Sequence, residues 1–148
     1  MSGIIHVSEA ASLALHTMTL LASEPDRVFS TKEIATSLSV SEAHLAKVMQ
    51  RLGKVGLVRS VRGPKGGFLL GKKPEEISLL EVYESIDGPL GKSNCLFGTP
   101  VCGNQKCLMG DLLQSVNRQA RDYFENTTLS QINDGNVENS RRDHVETA

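Results

Sequence analysis

Between residues 30 and 73 the sequence predicts a short helix, a turn, a second helix and a glycine-rich hairpin, and this order constrains the fold more than any other feature. The second helix is indicated by apolar residues at i, i+3, i+4 and i+7, which lie on one helix face: Leu45, Val48, Met49 and Leu52. Ser41 stands where an N-cap is expected. Short or polar residues would then face away from the apolar stripe and could approach another molecule: Ala43, Ala46, Lys47 and Gln50.

A shorter helix is predicted just upstream. Ser30 and Glu33 have the spacing of a capping box, and Ile34 and Leu38 supply its buried side. Only the three residues 39–41 separate the two helices. Two helices joined in this way form a helix-turn-helix, whose second helix enters the major groove of DNA.

Two apolar-rich segments follow, Leu57–Arg62 and Phe68–Leu70, with the Gly/Pro turn Gly63–Gly67 between them. This pattern predicts a β-hairpin. A hairpin directly behind a recognition helix is the wing of a winged helix, and an Arg at its tip can enter a narrow minor groove. The predicted fold class is therefore mainly α with a small β-hairpin, a winged helix-turn-helix domain.

Charge is unevenly distributed along the chain. The net charge is -1, but the residues from His44 to Lys73 hold eight of the sixteen Lys and Arg residues and no Asp or Glu. A basic face is the footprint of a polyanion binder, although a solvated face gives the same pattern. Together with the helix-turn-helix and the wing, it predicts binding to double-stranded DNA. The residues predicted to contact DNA are Ser41, Glu42, Ala43, Lys47, Gln50, Arg51, Arg59, Arg62 and Lys65.

Further helices are predicted from about Ser8 to Ser23, from a capping box of Ser78 and Glu81, and from Leu108 to about Asn126. The last would be about 28 Å long, which is more than a small winged helix needs to cover its core. Its surplus apolar face predicts a two-fold homodimer. A helix packed only on its own domain is the alternative.

The chain thus divides into residues 1–90, the winged helix-turn-helix domain; 91–107, a loop; 108–132, a long C-terminal dimerisation helix; and 133–148, a polar tail expected to be disordered. It has no apolar run long enough to span a bilayer and no N-terminal signal segment, so a cytoplasmic protein without a membrane partner is expected. No Cys-x-x-Cys pair, nucleotide loop or paired acid/base motif suggests an enzyme. A redox or metal-handling protein and a protein-binding winged helix are the alternatives from other classes.

Residues 91–107, the cysteine loop, hold all three cysteines, Cys95, Cys102 and Cys107. Thiolates are soft ligands that suit iron–sulfur clusters and zinc, and the glycine-rich backbone would allow three sulfurs to turn toward one point. A 2Fe–2S or 4Fe–4S cluster commonly takes about four protein ligands, so one must come from elsewhere. Glu9, Asp111 or a group of a partner subunit could supply it. A zinc site, a thiol–disulfide switch and a loop that binds nothing are alternatives that the spacing leaves open.

Several segments are similar to a known family. They are Leu57–Leu70, Glu76–Val82 and Asp87–Leu90, followed by the three cysteines. Over about Val7–Phe124 the chain resembles the IscR/NsrR/CymR family of dimeric winged-helix transcription regulators, several of which carry an iron–sulfur cluster. The resemblance implies that the recognition helix is Ser41–Leu52 and that Arg62 contacts the minor groove. It also implies that the cysteines bind the cluster.

The chain departs from this family at several positions. Cluster-binding members space their cysteines more evenly, and members with a His ligand have it where this chain has Gly110. The nitric-oxide-sensing branch uses an N-terminal Asp where this chain has Ser12, with Glu9 one helical turn earlier. Ala46 replaces the family's recognition-helix Glu, so a different operator is expected. The predicted function is a DNA-binding transcription regulator that senses iron–sulfur cluster, redox or nitric oxide status through the cysteine loop.

Overall fold

The computed structural model of the chain describes residues 5–91, 103, 107 and 109–134. The first part forms three helices: α1 (Glu9–Ser23), α2 (Thr31–Leu38) and α3 (Glu42–Lys54). An antiparallel hairpin of β1 (Val58–Val61) and β2 (Gly67–Leu70) follows. A 3-10 turn at Pro74–Glu76 leads into α4 (Leu79–Asp87), and α5 (Gly110–Asn126) comes last. The prediction of a mainly helical winged-helix fold with one small hairpin is confirmed.

The predicted helix caps all take that role: Ser8, Ser30 with Glu33, Ser41, and Ser78 with Glu81. In the capping box of α2, the Glu33 N–H donates to Ser30 Oγ at 3.1 Å and the Ser30 N–H donates to the Glu33 carboxylate at 2.8 Å. Two N–H groups that have no partner inside the helix are thereby satisfied. The Ser30 N–H and the nearby Arg27 guanidinium hold the pKa of Glu33 below its ordinary value.

The core lies between α1, α2, α3, α4 and the hairpin, and α1 contacts α2, α3, α4 and β2. Its largest fully buried side chains are Met18, Leu21, Ile34, Leu45, Met49, Leu52, Leu57, Ile77, Val82 and Leu129. Burying one such side chain contributes about 1.5–3 kcal/mol. Because α3 and the hairpin both contribute to this core, they are parts of one packed unit.

The hairpin pairs in the register Val58↔Leu70 to Val61↔Gly67, and we call residues 58–70 the wing. Phe29 and Phe68 also exchange two backbone hydrogen bonds, of 2.8 and 2.9 Å, so the wing is joined to the segment before α2. A Cβ on Gly67 would lie 2.0 Å from the Phe29 carbonyl oxygen. Only glycine permits this approach of two backbones.

The chain folds back onto the domain after α5. Thr128 forms an antiparallel bridge with Ser78, and the Leu129 N–H donates to the Ile77 carbonyl at 3.0 Å. Leu129 is completely buried in the core. Within the predicted segment 108–132, α5 ends at Asn126, residues 127–129 close the domain, and a second helical stretch starts at 129.

One side of α5 packs on α4. Leu113 is buried, and the Phe124 ring stacks on the Tyr83 ring with centroids 5.7 Å apart. Leu112 and Tyr123 are 45% and 59% exposed. A role of α5 in dimerisation stays a prediction.

Two of the predicted features lie outside the described residues: Cys95 with Cys102, and residues 135–148 of the predicted tail. A helical stretch that starts at 129 extends to 134, and the predicted disorder of the tail stays a prediction. Among the described helices, none has the length and the hydropathy that a membrane crossing requires.

Candidate nucleic-acid interface

The exposed face of α3 carries most of the residues that the sequence assigns to DNA contact. The apolar residues of this helix are buried, as predicted. The opposite side presents only exposed residues: Ala43, Ala46, Lys47, Gln50 and Lys54. Ser41 and Glu42 are exposed at the N-terminal end of the same helix. Because Ala43 and Ala46 are short, the helix backbone can come close to another molecule's surface.

The turn before α3 depends on Ser39. This residue has φ 55° and ψ 45°, a left-handed conformation that costs an L-residue about 1–2 kcal/mol. The N–H groups of Ser39 and Val40 donate to carbonyls of Thr36 and Ala35 in the last turn of α2. These bonds fix the direction in which the chain leaves α2 and enters α3.

The tip of the wing presents Arg62 and Lys65, and Arg59 lies on β1; all three side chains are exposed. The Gly66 N–H donates to the Gly63 carbonyl at 2.9 Å, which closes the turn. Gly66 has no room for a Cβ, because that atom would lie 2.2 Å from the Val61 carbonyl oxygen. The turn therefore depends on glycine and holds the two basic side chains at its edge.

Among the described residues, no carboxylate pairs with several cations of this surface. Within the described ranges, Lys47, Arg59, Arg62 and Lys65 form no ion pair with a carboxylate. A groove beside α3 is lined by several basic side chains and by no carboxylate: Ala10, His44, Lys47, Val48, Gln50, Arg51 and Lys54. Unpaired cations on a convex helix and hairpin suit the phosphates of a nucleic acid.

Arg51 differs from the other predicted contact residues. Its Nη1 donates to the carbonyl oxygen of Ile86, in the last turn of α4, at 3.2 Å. At about 100° per residue, Arg51 lies on the flank of α3 beside His44, away from the centre of the exposed face. Sequence patterns could not indicate this contact, because the acceptor is a backbone carbonyl 35 positions along the chain.

The last turn of α4 also contacts the start of α1. The Ser8 N–H donates to Asp87 Oδ2 at 3.0 Å, and Ser8 Oγ donates to Asp87 Oδ1. The Tyr83 hydroxyl donates to the His6 carbonyl at 2.8 Å. Burial, followed by the charges of Asp87 and Glu84, raises the pKa of Tyr83. Asp87 therefore orders the N-cap of α1, and in the sequence it lies shortly before the cysteine loop.

Of the predicted metal ligands, Cys107, Glu9 and Asp111 are described. Cys107 is a free, half-buried thiol, and its carbonyl accepts the Gly110 N–H at the start of α5. Glu9 and Asp111 are exposed in the first turns of α1 and α5. No group of three or more His, Cys, Asp and Glu residues in the described part of the chain is arranged to hold a metal ion. The predicted set also needs Cys95 and Cys102, which lie outside that part, so it stays a prediction.

The sequence matches a family and several of its relatives. The profile of the Rrf2 family, described as an iron-dependent transcriptional regulator, matches residues 7–135. A protein of Aquifex aeolicus described as an HTH-type transcriptional regulator is 31% identical over 128 residues, covering 84% of this chain and 89% of that protein. The HTH-type transcriptional regulator IscR of Pectobacterium atrosepticum is 33% identical over 100 residues, covering 68% of this chain. The chain spans 61% of the length of that IscR.

Solved structures show the same fold. CymR, the global cysteine regulator of B. subtilis, superposes with a TM-score of 0.76 at 24% identity, covering 88% of this chain and 97% of CymR. The oxidized form of Staphylococcus aureus CymR gives a TM-score of 0.73 at 27% identity, with 87% and 96% coverage. IscR of T. potens gives 0.68 at 23% identity, with 86% and 85% coverage.

Proposed function

Because this chain belongs to the Rrf2 family of winged-helix transcription regulators, we propose that it binds double-stranded DNA through the exposed face of α3 and through the wing. Members of this family are transcription regulators and not enzymes, in agreement with the expectation from the sequence. The observation that carries the proposal is the set of exposed cations on α3 and the wing that no carboxylate of the described ranges pairs with. The proposal also assigns individual residues of α3 and of the wing to parts of the DNA.

On α3, Lys47 and Gln50 lie at the centre of the exposed face and are assigned to the major groove. The Gln50 amide can donate and accept at a base edge, while Lys47 can reach a base or a phosphate. The N-terminal end of α3 enters the major groove first, and it carries Ser41, Glu42 and Ala43. A Glu in this position can accept a hydrogen bond from cytosine N4.

On the wing, Arg62 and Lys65 are assigned to the minor groove and the adjacent phosphates. The guanidinium of Arg62 suits the negative potential of a narrow minor groove. Arg59 lies lower on β1 and is assigned to the DNA backbone. Glycine N–H groups at the tip can approach phosphate oxygens closely because no side chain stands in the way.

The functional form proposed is a two-fold homodimer joined through α5. The support is the apolar side of α5 that α4 does not cover, which includes Leu112, Tyr123 and half-buried Val116. A second copy would cover this side and place two copies of α3 on successive turns of DNA.

Sensing is assigned to the cysteine loop, with Cys95, Cys102 and Cys107 as ligands of an iron–sulfur cluster and with Glu9 or Asp111 as the fourth ligand. The donor set is suitable, because three thiolates prefer iron–sulfur clusters or zinc. Cys107 precedes the N-terminus of α5, whose partial positive charge favours a bound anion. A bound cluster would supply a redox-active anionic centre. A thiol-based regulator without a cluster is the second candidate, favoured by the similarity to the oxidized form of CymR.

The DNA proposal is tested by fluorescence anisotropy with a duplex selected from a random pool. Between about 50 and 200 mM salt, the affinity should fall by roughly a thousandfold or more if six or more phosphates are contacted. Arg62→Ala should weaken binding and lower the salt dependence by about one counterion. Arg118→Ala removes one exposed cation from α5 and should leave binding unchanged. Equal binding by wild type and Arg62→Ala would remove the role of the wing.

The sensing proposal is tested by visible absorption, iron and sulfide content after purification without oxygen. Absorption bands that disappear in Cys107→Ser would support the cluster. Glu9→Gln and Asp111→Asn are made separately, and the variant that removes the fourth ligand should change the visible absorption. No spectral change in either variant would refute the carboxylate assignment. Colourless, iron-free protein that still binds DNA would favour thiol or zinc chemistry.

A further inference from the structure

Three helices meet at the last turn of α4. Arg51 connects α3 to this turn through the Ile86 carbonyl, and Ser8 connects α1 to it through Asp87. On the third side, Arg121 of α5 donates to Glu84 at 3.3 Å. We call the last turn of α4 with these partners the α4 junction. It lies immediately before the cysteine loop in the sequence.

The bond from Arg51 has a clear physical role. The last carbonyl groups of a helix have no partner inside the helix and carry a partial negative charge, which a guanidinium stabilises. A hydrogen bond with a charged donor is about twice as strong as a neutral one. The bond joins the flank of α3, beside its exposed face, to the end of α4. It therefore opposes a rotation of α3 against α4.

We infer that Arg51 is a positioning residue, which sets the orientation of α3 through the α4 junction and so governs how well α3 reads base edges. The inference rests on the proposed binding of DNA by α3. It changes the role of Arg51 from a direct DNA contact to a restraint on the residues that make contact. Disturbing the α4 junction from its α1 side, through Asp87, should therefore affect DNA recognition as well.

The alternatives make different predictions for Arg51→Met. A lost phosphate contact weakens binding about equally for all sequences and lowers the salt dependence by about one counterion. A lost base contact relaxes the preference at one base-pair position. A misplaced helix weakens recognition at several base pairs together, while binding to an unrelated duplex through phosphates changes little. The ratio of specific to non-specific affinity separates these cases.

The experiment compares Arg51→Met with Lys47→Met, which removes the same charge from the centre of the exposed face. Affinities are measured for a duplex selected by the wild-type protein from a random pool and for a scrambled duplex of the same composition. For Arg51→Met we expect the ratio of the two affinities to fall about tenfold, which is the effect of one lost charge-assisted hydrogen bond. The salt dependence on scrambled duplex should remain as in wild type. An unchanged ratio with a reduced salt dependence would make Arg51 a phosphate contact and overturn the inference.

A double-mutant cycle with Asp87→Asn gives the second readout. If both residues act through the α4 junction, Asp87→Asn should lower the affinity ratio by itself, and the double variant should lose less than the product of the two single losses. If the two single losses in the affinity ratio simply multiply in the double variant, or if Asp87→Asn leaves the ratio unchanged, the inference is contradicted. Thermal unfolding of each variant separates these effects from loss of folded protein. A wild-type protein that binds duplex DNA without sequence preference would refute the reading of base edges by α3, and one that binds no duplex would refute the proposed function.

Discussion

The helices α3 and α5 are both amphipathic, but a single chain buries the whole apolar face of α3 and only part of the apolar face of α5. In α3, four of 13 residues are buried, and they form the whole apolar face. In α5, only Leu113 is buried among 17 residues, while Leu112 and Tyr123 remain exposed. The apolar side of α3 is thus covered by its own domain, whereas part of the apolar side of α5 stays exposed in a single chain.

The two helices also differ in their charges and caps. Lys47 on α3 has no carboxylate partner among the described residues, whereas Arg121 on α5 pairs with Glu84. Ser41 caps α3 with its side chain, but Met109 at the start of α5 provides no side-chain cap. Among the described residues, the exposed face of α3 therefore keeps an unpaired cation, whereas a cation of α5 is used in a contact within the chain.

The largest effect is expected where the wing joins the domain of α3. Gly67→Ala would place a Cβ 2.0 Å from the Phe29 carbonyl oxygen, so the backbone pairing must open. We expect a loss of about 3 kcal/mol or more in the free energy of unfolding, together with loss of DNA binding. Urea unfolding and anisotropy measure the two effects.

Gly63→Ala is the matched control in the same hairpin. Gly63 has φ 110° but open space around the position of a Cβ, so we expect only a strain cost of about 1 kcal/mol. Equal costs for both variants would show that the approach of Gly67 to Phe29 is not important for stability.

Neighbouring leucines on α5 provide the next test. Leu113→Ala removes a buried side chain and should cost about 2–3 kcal/mol of folding free energy. Leu112→Ala should leave the fold of one chain nearly unchanged but raise the dissociation constant of the dimer. Sedimentation over a range of concentrations, together with urea unfolding, distinguishes the two. If Leu112→Ala leaves self-association unchanged, the uncovered side of α5 is not the dimer contact.

A smaller effect of opposite sign is expected in the turn before α3. Ser39→Gly relieves the cost of a left-handed L-residue but adds freedom to the unfolded chain. The net change should be a stabilisation of about 0.5–1 kcal/mol, visible as a higher Tm. Ser37→Gly, inside α2, is the control and should lower the Tm. A lower Tm in Ser39→Gly would contradict this account of the turn.

The smallest effect concerns the charge in the capping box of α2. The lowered pKa of Glu33 means that the folded state favours the carboxylate. This contribution is present above the ordinary glutamate pKa of about 4.3 and is lost as the pH falls through the lower pKa of the folded state. Glu33→Gln keeps a capping amide oxygen, so the Tm difference from wild type should shrink below about pH 4. A difference that stays constant with pH would mean that the charge contributes nothing.

Much of the half that contains α2, α3 and the wing could be predicted from the sequence. Ser30 and Glu33 form the predicted capping box, Ser41 caps α3, and the wing has the predicted turn. These features depend on residues within a few positions of one another. The predicted exposure of Arg62 followed in the same way from its place at a glycine-rich tip.

The C-terminal half was less predictable. The long helix was expected, but the sequence did not indicate that residues 127–129 pair with 77–79 or that Leu129 fills the core. A single buried leucine after a helix has no periodicity to mark it. The partner of Arg51 was missed because every residue has a backbone carbonyl, and only the packing of α3 on α4 selects that of Ile86.

The sequence by itself determined where α1 to α4 begin, where the wing turns, and that residues 44–73, which include most of α3 and the whole wing, hold eight basic and no acidic residues. The tertiary structure alone decided which side of α5 the domain covers and which three helices meet at the α4 junction. The physical reason is range: caps, turns and helix faces follow from interactions over a few residues. The junction and the covered side depend on contacts between segments some 30 to 80 positions apart, as in the pairs Arg51 with Ile86 and Ser8 with Asp87.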